Sequence, residues 1–427
     1  MSNNNNYHFD TLKIRAGYNS AEHNGATQVP IYQTAAFDLY TVEHAQRILN
    51  QEEPGYLYSR LQNPTIAALE SRVAQLEGAT GAVAVASGMA AVSYALLNVG
   101  EGGSVIVAAE VYGGTYDAYK RLYPKLGVQV DIVNEINNLT LIRSLIKEDT
   151  KAIFIESISN PLNTIADIQA LADLAHEHGL PLIVDNTLAT PYLLNPFKFG
   201  ADVVVYSATK ALSGQGTVLG GLILESGKFD WSSGRHPQFS EKIYPLGNRS
   251  ALEVFPNSPF TFRVKINYCR LLGAALSPFS AYLLLLGIET LSERVQKQSD
   301  SALKIALFLN SHPNVEWVSH PALESNGQLA LYNKYFTKGA GGVFAIKLKG
   351  DKAATDKFIE ALQLFSYQAN IGDARSLIID PANTTHRELT GEEQLAVHLE
   401  SGIIRLSIGL EYVDDLINDL KQVLDTL

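Results

Sequence analysis

The chain has 427 residues, long enough for two or three domains, and 46% of them are apolar, enough to fill their cores. Its 33 basic and 44 acidic residues leave a net charge of -11 with no basic block anywhere, which argues against nucleic acid or an anionic membrane as the main partner. A single cysteine, Cys269, excludes an internal disulfide and a thiolate metal site and is consistent with a reducing cytoplasm.

The start, MSNNNNYHFD, has neither the positive charge nor the apolar run of a signal peptide and reads as unprocessed and mobile. Residues 1–65, rich in Asn, Gln, Tyr and Pro with little periodicity, are expected to form an extended arm that contacts a neighbouring subunit. The run Ala82 to Val99 is apolar enough to suggest a membrane helix. Ser87, Gly88 and Ser93 interrupt it, so a buried strand followed by a buried helix is expected. From about Ile66 to Gly227, the short runs AVAVAS, SVIVAAE, AIFIES, LPLIVDN, ADVVVYS and GGLILE alternate with helical patterns. That alternation predicts an α/β domain over 66–280, its mixed but mostly parallel sheet covered by helices on both faces. After Pro278 a strongly helical segment and strands at VFAIKL and IIRLSIG predict a smaller α+β domain over 281–427.

In an open parallel sheet, ligands bind beyond the carboxyl ends of the strands. LPLIVD ends on Asp185, and ADVVVYSAT runs into Lys210, so an acid and an amine are expected to face one crevice. AVAVAS ends on Ser87-Gly88-Met89 at a predicted helix start, where free N–H groups and the helix dipole favour a phosphate. AIFIES runs into Ser157 and the polar turn Asn160-Pro161. An amine for an imine, a carboxylate to keep a pyridine nitrogen protonated and a phosphate pocket together meet the demands of pyridoxal phosphate (PLP). The hydroxyls of Ser207 and Thr209 flank the lysine and are expected to complete the phosphate cradle. The glycines of SGQGTVLGG superficially suggest a dinucleotide loop, but their spacing is wrong and no strand leads into them. His176 and His178, two apart on a predicted helix, do not share a face and are not expected to hold a metal.

These residues resemble the Cys/Met-metabolism family of PLP enzymes, nearly end to end, and most specifically in VDNTLATPYLLNPFKFGADVVVYSATKALSGQG. The resemblance implies the type I PLP-dependent transferase fold, with Lys210 as the Schiff-base lysine. It pairs Asp185 with the pyridine nitrogen and places Gly88, Met89, Ser207 and Thr209 on the phosphate. It stacks Tyr112 on the cofactor ring, as a second catalytic residue, and puts Asn160 on the phenolic oxygen. Tyr58 and Arg60, in YSRLQNPT, match the segment that crosses a dimer interface to the partner's phosphate, implying at least a homodimer and, from the family, a homotetramer. Arg405 is the natural grip for the substrate carboxylate, two parallel bonds being what a guanidinium offers, and the resemblance adds Ser376 beside it.

Within the family, three features are most like the O-acetylhomoserine sulfhydrylase branch. NIGDARSLIIDPANTTH puts Arg375 where many transsulfuration enzymes carry Glu, Gly114 stands where methionine lyases carry a cysteine, and ESGKFDWSSGRHPQFSEK is a longer insertion. Tyr206 and Gln215 depart from that branch, which usually has histidines at both places. The expected reaction is a γ-replacement, O-acetyl-L-homoserine and sulfide giving L-homocysteine and acetate. The alternatives are a cystathionine γ-synthase or a γ-lyase of the same family, or a non-catalytic binding subunit of the same fold.

Overall fold

The computed structural model describes residues 7–427, so the Asn-rich start read as mobile lies outside the described residues. Seven strands build the larger sheet: β1 (Gly81–Val85), β2 (Ser104–Ala108), β3 (Gln129–Val133), β4 (Thr150–Glu156), β5 (Leu182–Asp185), β6 (Val203–Ser207) and β7 (Gly221–Glu225), in the order β1-β7-β6-β5-β4-β2-β3. The strands from β6 to β3 run parallel, whereas β7 is antiparallel to both β6 and β1. The reversal follows from the connection. Between β6 and β7 the chain turns back through residues 208–220 with no helical crossover of the kind a parallel neighbour needs. Val203, Val204 and Val205 are fully buried, which is why β6 shows no polar alternation. The sequence reading misses β3. It is an edge strand paired only with β2 and its first residues are partly solvated, so it lacks the continuous apolar run of its neighbours.

The apolar stretch that resembles a membrane helix divides into β1 and α4 (Gly88–Gly100), and no described helix is long and apolar enough to cross a membrane. A second sheet comprises β8 (Val315–Val318), β9 (Val343–Leu348), β10 (Ser366–Tyr367), β11 (Leu377–Ile379) and β12 (Ile403–Ser407), in the order β10-β11-β12-β9-β8. Phe344, Ile346, Ile404 and Leu406 on its inner face share a separate core with Ile305 and Leu309 of the helix Leu291–Ser311 and with Leu416 and Leu420 of the helix Val413–Leu424.

The arm is less extended than its composition suggests. α1 (Phe9–Arg15) lies against the body, where buried Lys13 donates to Ser292 Oγ and Glu293 Oε1, each at 2.5 Å. α2 (Val42–Leu49) starts at Thr41, whose hydroxyl accepts the His44 N–H, and is laced by an Arg47–Glu43 pair at i,i+4. Both helices are short, and such local signals are easily lost in a polar segment. α3 (Pro64–Glu77) then enters the body with Asn63 as cap, Pro64 in its first turn and Gly78 in the left-handed conformation at its end.

Candidate active site

Three parallel strands, β4, β5 and β6, end side by side, and α4 begins at the same edge. Together with residues from β12 they line a cleft of about 220 Å³, open to solvent at its mouth. Gly88, Met89, Tyr112, Asn160, Asp185, Ser207, Thr209, Lys210 and Arg405 all line it. Ser87 caps α4, its hydroxyl accepting the Ala90 N–H at 3.1 Å, which leaves the N–H groups of Gly88 and Met89 in the first turn, where a helix has no carbonyl of its own to offer. Gly88 is required by space: a Cβ there would lie 2.5 Å from the Cβ of Ser207. Tyr112 precedes α5 (Gly113–Arg121), and Gly114 makes room for its ring, since a Cβ at Gly114 would come within 2.7 Å of Tyr112 Cε1.

The ionisable groups are tied to one another and to the strand ends. Asp185 accepts both the N–H and the hydroxyl of Thr187, at 2.9 and 2.5 Å. Burial raises its carboxyl to about 6 against the pull of those two bonds. Lys210 Nζ donates to Asn370 Oδ1 at 2.9 Å, and burial, with Arg405 adding like charge, lowers its ammonium to about 8. Arg405, central in the second sheet, is buried. It donates to Asn160 Oδ1 at 3.1 Å and to the Asn370 carbonyl at 3.0 Å, and its Nε has no partner. A cavity with a weakened amine, a carboxylate on the neighbouring strand and a guanidinium with donor capacity to spare is equipped to bind a zwitterionic or anionic small molecule and to move a proton on it.

Residues 10–425 match the model of the family described as Cys/Met metabolism PLP-dependent enzyme. The chain belongs to that family. It is 40% identical to an O-acetyl-L-homoserine sulfhydrylase of Leptospira meyeri, over 99% of this chain and 98% of that one. It is also 40% identical to a homocysteine synthase of Schizosaccharomyces pombe, covering 98% of each. A 2.35 Å crystal structure of a Campylobacter jejuni protein assigned as an O-acetylhomoserine (thiol)-lyase, carrying N'-pyridoxyl-lysine-5'-monophosphate, superposes with a TM-score of 0.95 at 40% identity, covering 98% of this chain and 100% of that one.

The cavity of this family member fits PLP. The unpartnered Nε of Arg405 and the cradle at Gly88 that a single Cβ would fill are the features of a pocket shaped for a charged guest. The glycines of SGQGTVLGG are explained by close packing: a Cβ at Gly214 would strike the Arg294 guanidinium at 1.8 Å, and one at Gly221 the Ser87 carbonyl at 2.1 Å. His176 is bonded to Asp202 at 2.8 Å at the opposite end of the strands.

Other expected site residues are not brought to the cavity. Ser376 is fully buried and does not line the cavity, its hydroxyl donating to Glu411 Oε2 at 2.9 Å and accepting the Gly409 N–H at 2.9 Å. Arg375 is exposed and bonded to Asp373 at 3.1 Å, outside the cavity wall. Tyr58 and Arg60 are exposed and lie outside it as well, the guanidinium 5.1 Å from the ring centroid. Of the two departures from the sulfhydrylase pattern, Gln215 is exposed. Tyr206 is buried behind the sheet, bonded to the carboxyl of Glu77 and accepting from Asn186 Nδ2 at 2.8 Å, so neither touches the cavity.

The sequence reading in turn misses Glu156, Thr187 and Asn370, all of which line the cavity. Thr187 was readable: an Asp followed two residues later by a Thr is a side-chain-to-backbone turn that fixes the carboxylate. Glu156 was readable from the strand-end rule, since it closes AIFIE. Asn370 arrives on an irregular loop and carries no sequence signal.

Proposed function

We propose that this chain is an O-acetylhomoserine sulfhydrylase, converting O-acetyl-L-homoserine and sulfide to L-homocysteine and acetate, in the cytoplasm and as a homotetramer of two site-sharing dimers. The observation that carries the amino-acid substrate is Arg405, buried in a cavity it shares with Lys210 and holding an unpartnered Nε. The sulfhydrylase and homocysteine synthase relatives, matched over nearly their whole length, support sulfide as the second substrate. Leu219 supports a covering subunit: it lines the cavity mouth yet is 65% exposed, while Leu271 and Leu272 also stand free on the surface. Tyr58 and Arg60, exposed in the arm, are free to reach a neighbour's phosphate pocket. One free, buried thiol supports a reducing compartment. The two sheets, each with its own core, support an arm over 1–65, a cofactor-binding domain over 66–280 and a smaller domain over 281–427.

When bound, PLP supplies an electron sink for the carbon next to the amino group. The N–H groups of Gly88 and Met89 and the hydroxyls of Ser207 and Thr209 would hold its phosphate, Asp185 the pyridine nitrogen and Asn160 the phenolic oxygen, with Tyr112 available to the ring. Arg405 grips the substrate carboxylate. Lys210, whose lowered basicity lets it exchange protons near neutrality, takes the α-proton and returns it at the end. At the γ-carbon the bond to the acetate oxygen breaks with its electron pair, and a carbon–sulfur bond forms with sulfide. The test is a substrate panel on purified holoenzyme. O-acetylhomoserine with sulfide should give homocysteine faster than O-acetylhomoserine with cysteine gives cystathionine, or methionine alone gives methanethiol. A faster rate in either of the last two overturns the reading.

A further inference from the structure

Glu156 takes no part in the reaction as proposed, yet it occupies the floor of the same cavity. It closes β4 and stands opposite Asp185 in the parallel register, so two carboxyls sit side by side at adjacent strand ends. Glu156 Oε1 accepts the backbone N–H of Tyr112 at 2.7 Å, and the backbone N–H of Asn160 bears on the same carboxyl. Those two residues arrive from different connections, one after β2 and one after β4, and both line the cavity. Tyr112 precedes α5, and Glu156 supplies the acceptor for its backbone N–H. Asn160 in turn accepts from Arg405. A single carboxyl therefore anchors the backbone of one cavity residue, Tyr112, and bears on that of another, Asn160, which is bonded to the guanidinium.

The charge state of Glu156 follows from its surroundings. The charged groups bearing on it are Asp185 from β5 and Glu110 from the loop after β2, both acidic. From α5 comes the hydroxyl of Tyr119, buried and without a partner. The cations of the cavity are engaged elsewhere, Lys210 with Asn370 and Arg405 with Asn160 and Asn370. Two carboxyls sharing a site do not both ionise, and the proton goes to the one whose ionised form is held less firmly. Thr187 donates two bonds to Asp185. Burial and the neighbouring Asp185 push Glu156 well above the usual carboxylate range.

We propose that Glu156 is a positioning residue: as a neutral acid it fastens the backbone of Tyr112 at the entry to α5, and it leaves the negative charge of the carboxyl pair on Asp185. The inference rests on the PLP site and not on the identity of the nucleophile. It is tested with holoenzyme variants Glu156→Gln and Glu156→Ala, using the amino acid that the substrate panel identifies. Three quantities are read: kcat against KM, the PLP retained after dialysis, and the pH midpoint of the bound cofactor's visible absorbance. The glutamine keeps a neutral acceptor and should hold kcat within about 3-fold with an unmoved midpoint. The alanine should lose about 100-fold in kcat with a much smaller change in KM, as expected for misplaced groups around the reacting atoms. If the alanine variant does not fold, Glu156→Asp, which draws the carboxyl back by one methylene, replaces it, with an expected loss of about 10-fold. An alanine (or, in its place, aspartate) variant that keeps full kcat overturns the positioning role. A glutamine variant as impaired as the alanine, or one with a displaced midpoint, overturns the neutral acid. The dialysis and absorbance readouts are independent of the nucleophile, so failure of the sulfide reading leaves them intact.

Discussion

The floor of the cavity and its rim are built from different materials. Glu156, Asp185 and Ser207 sit on the last residues of β4, β5 and β6, so their backbones are fixed by a ladder of strand hydrogen bonds. At the rim Asn370 and Leu219 come from irregular connections, and outside it Arg375 comes from another such connection and Tyr58 and Arg60 from the arm. On the floor Asp185 accepts two bonds from Thr187 and Glu156 one from the Tyr112 N–H, whereas outside the cavity wall Arg375 is 68% exposed and holds a single carboxylate, and at the mouth Leu219 is 65% exposed. The contrast teaches that the floor is preorganised within one chain, while the rim is left for something else to complete. Substrate, cofactor and a second subunit are the occupants consistent with that incompleteness.

Substitutions sharpen the contrast, taken by their expected effect on turnover. Lys210→Ala removes the only amine on the floor; turnover should fall by about 10⁴-fold and the visible absorbance of the bound cofactor should disappear. A variant with more than a tenth of wild-type kcat would break the assignment of chemistry to the floor. Gly114→Ala acts where floor and rim meet, because the added methyl would press on the Tyr112 ring. That ring can swing aside, so kcat should fall by about 10-fold while the melting temperature shifts by only a few degrees, checked by steady-state kinetics beside calorimetry. Arg375→Ala should change kcat/KM by no more than about 5-fold, as befits one exposed ion pair. A loss as large as that at Gly114 would show that residues outside the cavity wall contribute as much as the floor.

Beneath the floor, Glu77→Gln should leave turnover unchanged and alter stability alone. Burial raises the Glu77 carboxyl from its ordinary 4.5 to about 8. The folded chain thus holds that proton more firmly than the unfolded chain. Its stabilising effect is full below about pH 4.5 and is lost as the pH rises through 8, at up to about 1.4 kcal/mol per pH unit. Denaturant melts from pH 5 to 8 should show the wild type losing stability more steeply than the glutamine variant, and parallel slopes would contradict this.

The same division explains what the amino-acid sequence discloses. Asp185, Lys210, Gly88 and Ser207 are legible because strand ends in a parallel sheet must face one edge, so apolar runs predict where their last residues go. Arg405 is reached through the resemblance of IIRLSIG and also sits on a regular strand. The setting of Ser376 is not legible in this way, because its hydroxyl bonds to Glu411, a residue in another loop that no local pattern links to it. α1 and α2 escape notice because they are only 7 and 8 residues long, α1 held by Lys13 reaching Ser292 and Glu293 and by Phe9 and Leu12 against the core, α2 by a cap at Thr41 and by buried Ile48. Tyr206 misleads in the opposite sense. It stands where a histidine is usual but faces Glu77 behind the sheet, so the departure concerns support of the strand and not the substrate.

The contact between Gly88 and Ser207 also bears on how this chain tolerates drift. With 2.5 Å between an added methyl and Ser207, the separation of the first helical turn from the lysine-bearing strand is set by the absence of one carbon atom. Side chains that carry chemistry can at times be exchanged for a neighbour in size and charge, but no amino acid is smaller than glycine. Position 88 has no chemical repertoire and no room for substitution, so the spacing of this helix start is held by a residue with nothing to offer but its size.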